Sequence, residues 1–199
     1  MNHYINVGTN IETFILLGII IIGVIGLILF FILDWKRYGL LFLLSASVGN
    51  ILCLLFVKLG FYSYPYRLFP KLATMPITAI TASFPLLVLI CVRYSPKLWM
   101  WKIPFYWTVI HIGVFFEALL LTNTRIIEFN FKWNLWDSYT WWWIYFLLFE
   151  WIGGKIIPEH LRKPISIQNL QYGKIGWFLI HFILIITIFL AGYYLGTLK

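Results

Sequence analysis

The sequence predicts an all-α integral membrane protein of six transmembrane helices with both termini on the outer side. Three observations carry this prediction. Apolar residues make up 62% of the 199 residues and charged ones only 11%, against roughly 45–50% and about 25% in a soluble domain. Mean hydropathy is +0.88. Apolar runs of about 17 or more residues recur, each long enough at ~1.5 Å per residue to cross a ~30 Å hydrocarbon layer. No alternating pattern runs through them, so helices, which satisfy their own backbone groups, are the spanning form.

The first span is placed at 13–33, an unbroken apolar run. Residues 1–12 ahead of it hold no Lys or Arg, and no small-residue cleavage site follows, so it reads as a retained helix and not as a cleaved signal peptide. The second span, 39–57, carries a polar stripe of Ser47, Asn50 and Cys53 at i, i+3 and i+6. The third, 74–92, adds Thr78, Thr81 and Ser83, with Pro85 set to free a backbone carbonyl. The fourth, 103–122, holds His111 and Glu117. In the fifth, 141–157, Glu150 is followed by Gly153 and Gly154 on its own face, where a second backbone or a ligand can come close. The sixth, 175–196, holds His181. Small residues four apart (Ser45/Gly49, Ala79/Ser83, Gly192/Gly196) read as packing seams. No internal repeat or soluble linker interrupts the pattern, so residues 1–199 form a single membrane domain.

Orientation follows from Lys and Arg in the short connections. With the N-terminus outside, nine fall on inner loops (Lys36, Arg37, Arg93, Lys97, Lys102, Lys155, Arg162, Lys163, Lys174) and six on outer segments (Lys58, Arg67, Lys71, Arg125, Lys132, Lys199). Lys155 lies in the last turns of its span and can snorkel to the inner surface. The net charge of +8 is spread between apolar spans without a basic patch, which argues against nucleic acid as a partner and for the lipid bilayer. Cys53 and Cys91 differ in expected depth by about 15 Å, beyond disulfide reach, and read as small buried hydrophobes.

The run KWNLWDSYTWWW holds five tryptophans in twelve residues. It falls in the outer segment, 123–140, at the mouth of the fifth span, where indole rings favour the headgroup level. Just upstream, 127–135 alternates apolar and polar residues, the period of a half-buried extended segment. Two readings stay open: an aromatic belt, or a flap over the outer surface with Arg125, Trp133, Asn134, Trp136 and Asp137 as a cover.

Ionisable groups in a bilayer cost at least ~2.5–3.5 kcal/mol each at a helix centre, so each asks for a role. His111, Glu117, Glu150 and His181 lie about 9–21 Å above the inner end of their spans, and Asn50 about 16 Å. His111 and Glu117 are six residues apart and point about 120° away from each other, so neither serves the other within one helix. A buried Glu without a partner favours its neutral form, which suits a proton carrier and a hydrogen-bonding strut equally. There is no H-E-x-x-H motif, nucleophile elbow or P-loop, and no lysine deep in the sixth span for a Schiff base. No catalytic residue, metal or cofactor is assigned. His3 and His160 lie in polar stretches, where a solvated imidazole is the default.

Several fragments occur in order: DWKR at 34–37, Gly49 and Asn50, Phe84 and Pro85, RYSP at 93–96, FFE ending at Glu117, WNLWDS at 133–138 and EHLRKP at 159–164. Together, over roughly 34–165, they resemble a family of small, functionally uncharacterised multi-pass membrane proteins found mainly in spore-forming Gram-positive bacteria. The resemblance implies a plasma-membrane location and singles out Glu117, Trp133 and Asn134, without supplying an activity.

The leading expectation is a midplane polar layer (Asn50, His111, Glu117, Glu150) lining a cavity for a proton, ion or small solute, covered by the Trp-rich segment. The alternative is a non-catalytic subunit or sensor, in which these groups lock helices together and the loops bind a second copy or a membrane partner protein. A third reading, an intramembrane enzyme acting on lipid, requires two of the acids and histidines to converge within about 3 Å.

Overall fold

The computed structural model describes residues 5–130, 132–166 and 174–197. The order is α1 (Ile11–Lys58), β1 (Tyr62–Ser63), α2 (Ile77–Tyr94), α3 (Trp99–Asn123), β2 (Glu128–Phe129), α4 (Leu135–Ile156), a 3₁₀ turn (Glu159–Leu161) and α5 (Lys174–Thr197). Three helices, α1 to α3, are long and apolar enough to cross a membrane. The expected count of six is not reached by length and hydropathy among the described residues. In α4 the apolar residues are diluted by Asp137, Ser138, Glu150 and Lys155, and the apolar stretch recognised in α5 is Ile180–Phe189.

The first correction concerns α1. The expected five-residue connection at 34–38 is absent: helix continues on both sides and only Asp34 (φ −164°, ψ 96°) leaves helical geometry. Asp34 Oδ1 accepts from Arg37 N at 3.0 Å, so it caps the second limb as an N-cap residue does. The chain turns back there. Gly23 of the first limb abuts Ala82 of α2, while Asn50 of the second limb donates to Thr81 Oγ1 at 2.9 Å. Both limbs thus lie along the same level of α2. A Cβ on Gly23 would stand 2.6 Å from Ala82 Cβ and 3.1 Å from its backbone, so a hydrogen is the largest group this crossing admits.

At one end of the bundle the loops 59–76 and 124–134 are joined by the antiparallel pairing of β1 and β2, Tyr62 opposite Phe129 and Ser63 opposite Glu128. The same end holds the start of α1, where Asn10 caps Thr13 N at 3.0 Å and Thr13 Oγ1 shares a 2.5 Å hydrogen bond with Tyr66 OH. At the opposite end the segment after α4 folds back: Lys163 N donates to Arg93 O and Ile165 N to Tyr94 O, and Tyr38 OH to Leu161 O at 2.8 Å. Between the two ends Tyr38, Leu41, Leu89, Tyr106, Phe146 and Phe149 form the core. Outward, α1 exposes Ile21, Ile22, Ile28, Leu29 and Ile32, an apolar surface that asks for lipid as its solvent. Cys53 and Cys91 are buried and unbridged.

The extended alternation at 127–135 is realised only at Glu128–Phe129, whose strand partner lies in the preceding loop. The helix of the expected fifth span, α4, begins at Leu135 and not at 141, because Asn134 and Asp137 build a capping box: Asn134 Oδ1 accepts from Trp136 N (2.8 Å) and Asp137 N (3.4 Å), and Asp137 Oδ2 from Asn134 N (2.9 Å). This satisfies otherwise orphaned helix-end donors. Three of the tryptophans, Trp141 to Trp143, therefore sit two turns inside a helix.

Candidate functional site

Glu117 lies on α3 near the strand-bearing end. Its Oε1 accepts from Ser138 Oγ at 2.9 Å and its Oε2 from Trp142 Nε1 at 3.0 Å. Ser138 is 4% exposed and itself accepts from Trp133 Nε1 at 2.8 Å. Indole N–H groups only donate, so the direction of this relay is fixed: Trp133 to Ser138 to Glu117, with Trp142 closing from the other side. Among the described residues no Lys, Arg or His forms an ion pair with Glu117.

Two adjoining cavities meet at this carboxyl group. The larger, about 460 Å³, lies between the first limb of α1 (Leu16, Ile19), α2 (Ala79, Ser83, Leu87) and α3 (Val109, Ile112, Phe116). It falls within the ~300–1,000 Å³ of small-molecule sites. Ile112 and Phe116, 53% and 59% exposed, stand on its rim, so it opens sideways on the apolar surface of the bundle. The smaller, about 100 Å³, is walled by Phe56, Tyr64, Phe84, Trp141 and Tyr145. Glu117, Phe84 and Trp142 belong to both. The roof is Trp133, 7% exposed, stacked on Phe61 at 5.2 Å and packed on Phe56 at 5.0 Å and Tyr62 at 5.4 Å. Burial first, and then the neighbouring Cys53 thiol, pushes the Tyr62 and Tyr64 phenols well above their ordinary range.

Trp142 is held by what lies under it. Its ring rests on Gly113, where an added Cβ would come within 2.5 Å of Cζ3, and Phe84 (5.0 Å) and Phe146 (5.6 Å) close the other sides. The ring cannot recede. Gly113→Ala is therefore expected to cost about 1–3 kcal/mol by overpacking and to lengthen the bond to Glu117, read as a lower unfolding temperature together with a shifted Trp142 indole N–H resonance.

The expected midplane layer does not assemble around one space, and each of its other members is corrected in place. Glu150, 2% exposed, sits six residues from the end of α4, ~9 Å deep, at the end opposite the strands. Its Oε1 is paired with Lys102 Nζ and, at 3.5 Å, with Arg162 Nη1; its Oε2 accepts from Ser95 Oγ (3.0 Å) and Tyr106 OH (2.6 Å). Gly153 beside it admits Val92 of α2, and Gly154 the Arg162 guanidinium, so the room left by these glycines is taken by protein. Arg93 extends the cluster, donating to Tyr38 OH (3.0 Å) and Leu161 O (2.6 Å). Asn50 donates to Ala46 O (2.8 Å) and Thr81 and lines neither cavity. His111 is exposed, with Nδ1 3.0 Å from Trp107 O and its ring 5.2 Å from Tyr139. His181, half-buried on α5, lines neither cavity.

The cover candidates divide in the same way. Trp133 reaches the site. Asn134 and Asp137 serve the helix cap, half-buried Trp136 packs on Tyr139 at 6.2 Å, and Arg125 ties the end loops through its backbone, to Glu12 Oε1 at 3.3 Å and from Tyr66 N at 2.8 Å. Sequence reasoning missed Ser138, Trp142, Phe84 as a cavity wall, and the whole Lys102–Tyr106–Arg162 set. One signal was present for the last: Lys102 and Tyr106 are four apart and share a helix face. Among the described residues no group of three His, Cys, Asp or Glu could hold a metal ion.

Compared with protein-family models, with curated proteins and with solved structures, the chain has no match in any of the three.

Proposed function

We propose that this chain is a multi-pass plasma-membrane protein that binds a small membrane-dissolved molecule in the cavity at Glu117. The observation that carries the reading is a carboxyl group on the wall of an otherwise apolar chamber that opens towards lipid. Six crossings belong to the proposal: each limb of α1, then α2, α3, α4 and α5, all near or above the ~20 residues a span needs. So does the orientation, with the strand-bearing end outside. Lys36, Arg37, Arg93, Lys97, Lys102, Lys155 and Arg162 gather at the other end, as the positive-inside rule requires. Membership of the spore-former family is part of the same proposal, supported by the way its fragments converge. Phe84, Glu117 and WNLWDS build the cavity, and RYSP and EHLRKP build the Glu150 cluster.

Among the two roles weighed for the buried polar groups, the scaffold role fits Glu150, Asn50 and His111, each bonded to its surroundings, and the ligand-handling role fits Glu117. A photoactivatable long-chain alcohol tests the reading on the protein in lipid nanodiscs. Crosslinks are expected in α2 and α3 at the cavity, and Ala79→Phe, which fills the chamber beside Leu16 and Ile126, should remove them at an overpacking cost of about 1–3 kcal/mol that leaves the protein folded. Crosslinks spread evenly over the lipid-facing surface, unchanged by Ala79→Phe, would sink it.

A further inference from the structure

Resting on that reading, we infer that the molecule bound at Glu117 is an amphiphile with a cationic ammonium head and an alkyl or similarly apolar tail. The two chambers differ in size and in their share of aromatic lining. The smaller is lined mainly by aromatic side chains, Phe56, Tyr64, Phe84, Trp141, Trp142 and Tyr145 among them, together with one carboxyl group. The larger carries more aliphatic side chains, among them Leu16, Ile19, Leu87 and Val109, beside Phe84, Phe116 and Trp142, and opens at exposed Ile112 and Phe116. They meet at Glu117, so a head in the first and a tail in the second span a single junction.

The charge follows from what surrounds the carboxyl group. Two neutral donors, Ser138 and Trp142, occupy one acceptor site on each oxygen, and a carboxylate has roughly four. Glu117 lines both chambers, and among the described residues no cationic side chain is paired with it. The contrast lies within the same molecule: Glu150 has Lys102 and Arg162. A divalent inorganic cation takes about six oxygen ligands or more, whereas the smaller chamber supplies one carboxyl group and the hydroxyls of Tyr62, Tyr64, Ser138 and Tyr145, of which Ser138 and Tyr145 are already engaged with Glu117 and Ser45. An alkylated ammonium is satisfied by ring faces, whose quadrupole attracts it, with Glu117 as its counter-charge.

The test uses the full chain in nanodiscs and two photoactivatable probes of equal chain length, an alkyltrimethylammonium and the uncharged alcohol. At limiting concentration the ammonium is expected to label the cavity peptides about tenfold more than the alcohol, a difference of roughly 1.4 kcal/mol. Glu117→Gln, of equal size, keeps one oxygen to accept from Trp142 and turns its amide N–H towards the Ser138 hydroxyl, which can accept it; it should bring the two probes to parity while alcohol labelling persists. Equal labelling by both probes in the wild type overturns the ammonium head and leaves the cavity reading standing. Absence of cavity labelling by either probe overturns both. Should the Gln variant fail to fold, the wild-type ratio, with Ala79→Phe as the blocked control, decides between these outcomes.

Discussion

Glu150→Gln is expected to lower folding stability by about 3–5 kcal/mol, the cost of breaking a buried ion pair from one side. The side chain is 2% exposed, and its loss of charge leaves Lys102, whose side chain is 10% exposed, and Arg162, 16% exposed, facing each other without a counter-ion. The one oxygen that Gln retains cannot serve both Lys102 and Arg162 on one side and the Ser95 and Tyr106 hydroxyls on the other. Lys102→Met should cost less, because Arg162 still neutralises the carboxylate. Thermal unfolding in mild detergent checks the order, wild type above Lys102→Met above Glu150→Gln. Glu117→Gln belongs near the wild type, since its partners are neutral and one of its two oxygens survives. Equal losses at Glu117 and Glu150 would mean that the two acids do the same structural work.

Trp133→Ala carries the second large effect, about 3–5 kcal/mol by the cost of emptying an aromatic core position. Its ring is the contact shared by Phe56, Phe61 and Tyr62, so its removal opens the roof over the smaller chamber and unties both strand-bearing loops. Trp133→Phe separates packing from hydrogen bonding. It keeps most of the ring contact and loses only the donor to Ser138, for which about 1 kcal/mol is expected. Limited proteolysis within 59–76 and 124–134, alongside unfolding temperatures, reports the difference: rapid cleavage for Ala, near wild-type protection for Phe.

Much of the fold was legible because lipid leaves a chain few options. The apolar runs place most helix ends within a few residues, the start of α4 excepted, and the unusual Glu and His positions stand out as departures from them. Asp34 was read as part of a loop because a connection between antiparallel helices ordinarily takes several residues; here one extended residue suffices, with its own side chain capping the helix that follows. The start of α4 lies six residues ahead of the apolar run because a capping box of Asn134 and Asp137, not hydropathy, sets it. What could not be read was which polar groups meet. Glu150 and Arg162 are twelve residues apart across a chain turn, and Ser95 reaches Glu150 from 55 residues away. Such closures depend on helix rotation, which a mean hydropathy does not encode. The cavity at Glu117 is likewise a property of α2 and α3 standing apart, not of any one segment.

The central claim is that Glu117 is reachable from the membrane while Glu150 is sealed by its own partners. Labelling of the protein in lipid with a hydrophobic carbodiimide, which couples to carboxyl groups it can approach, measures that difference residue by residue in the peptide masses. The account predicts an adduct on the peptide containing Glu117, suppressed by Ala79→Phe, and none on the peptide containing Glu150. An adduct on Glu150 with Glu117 untouched would contradict it.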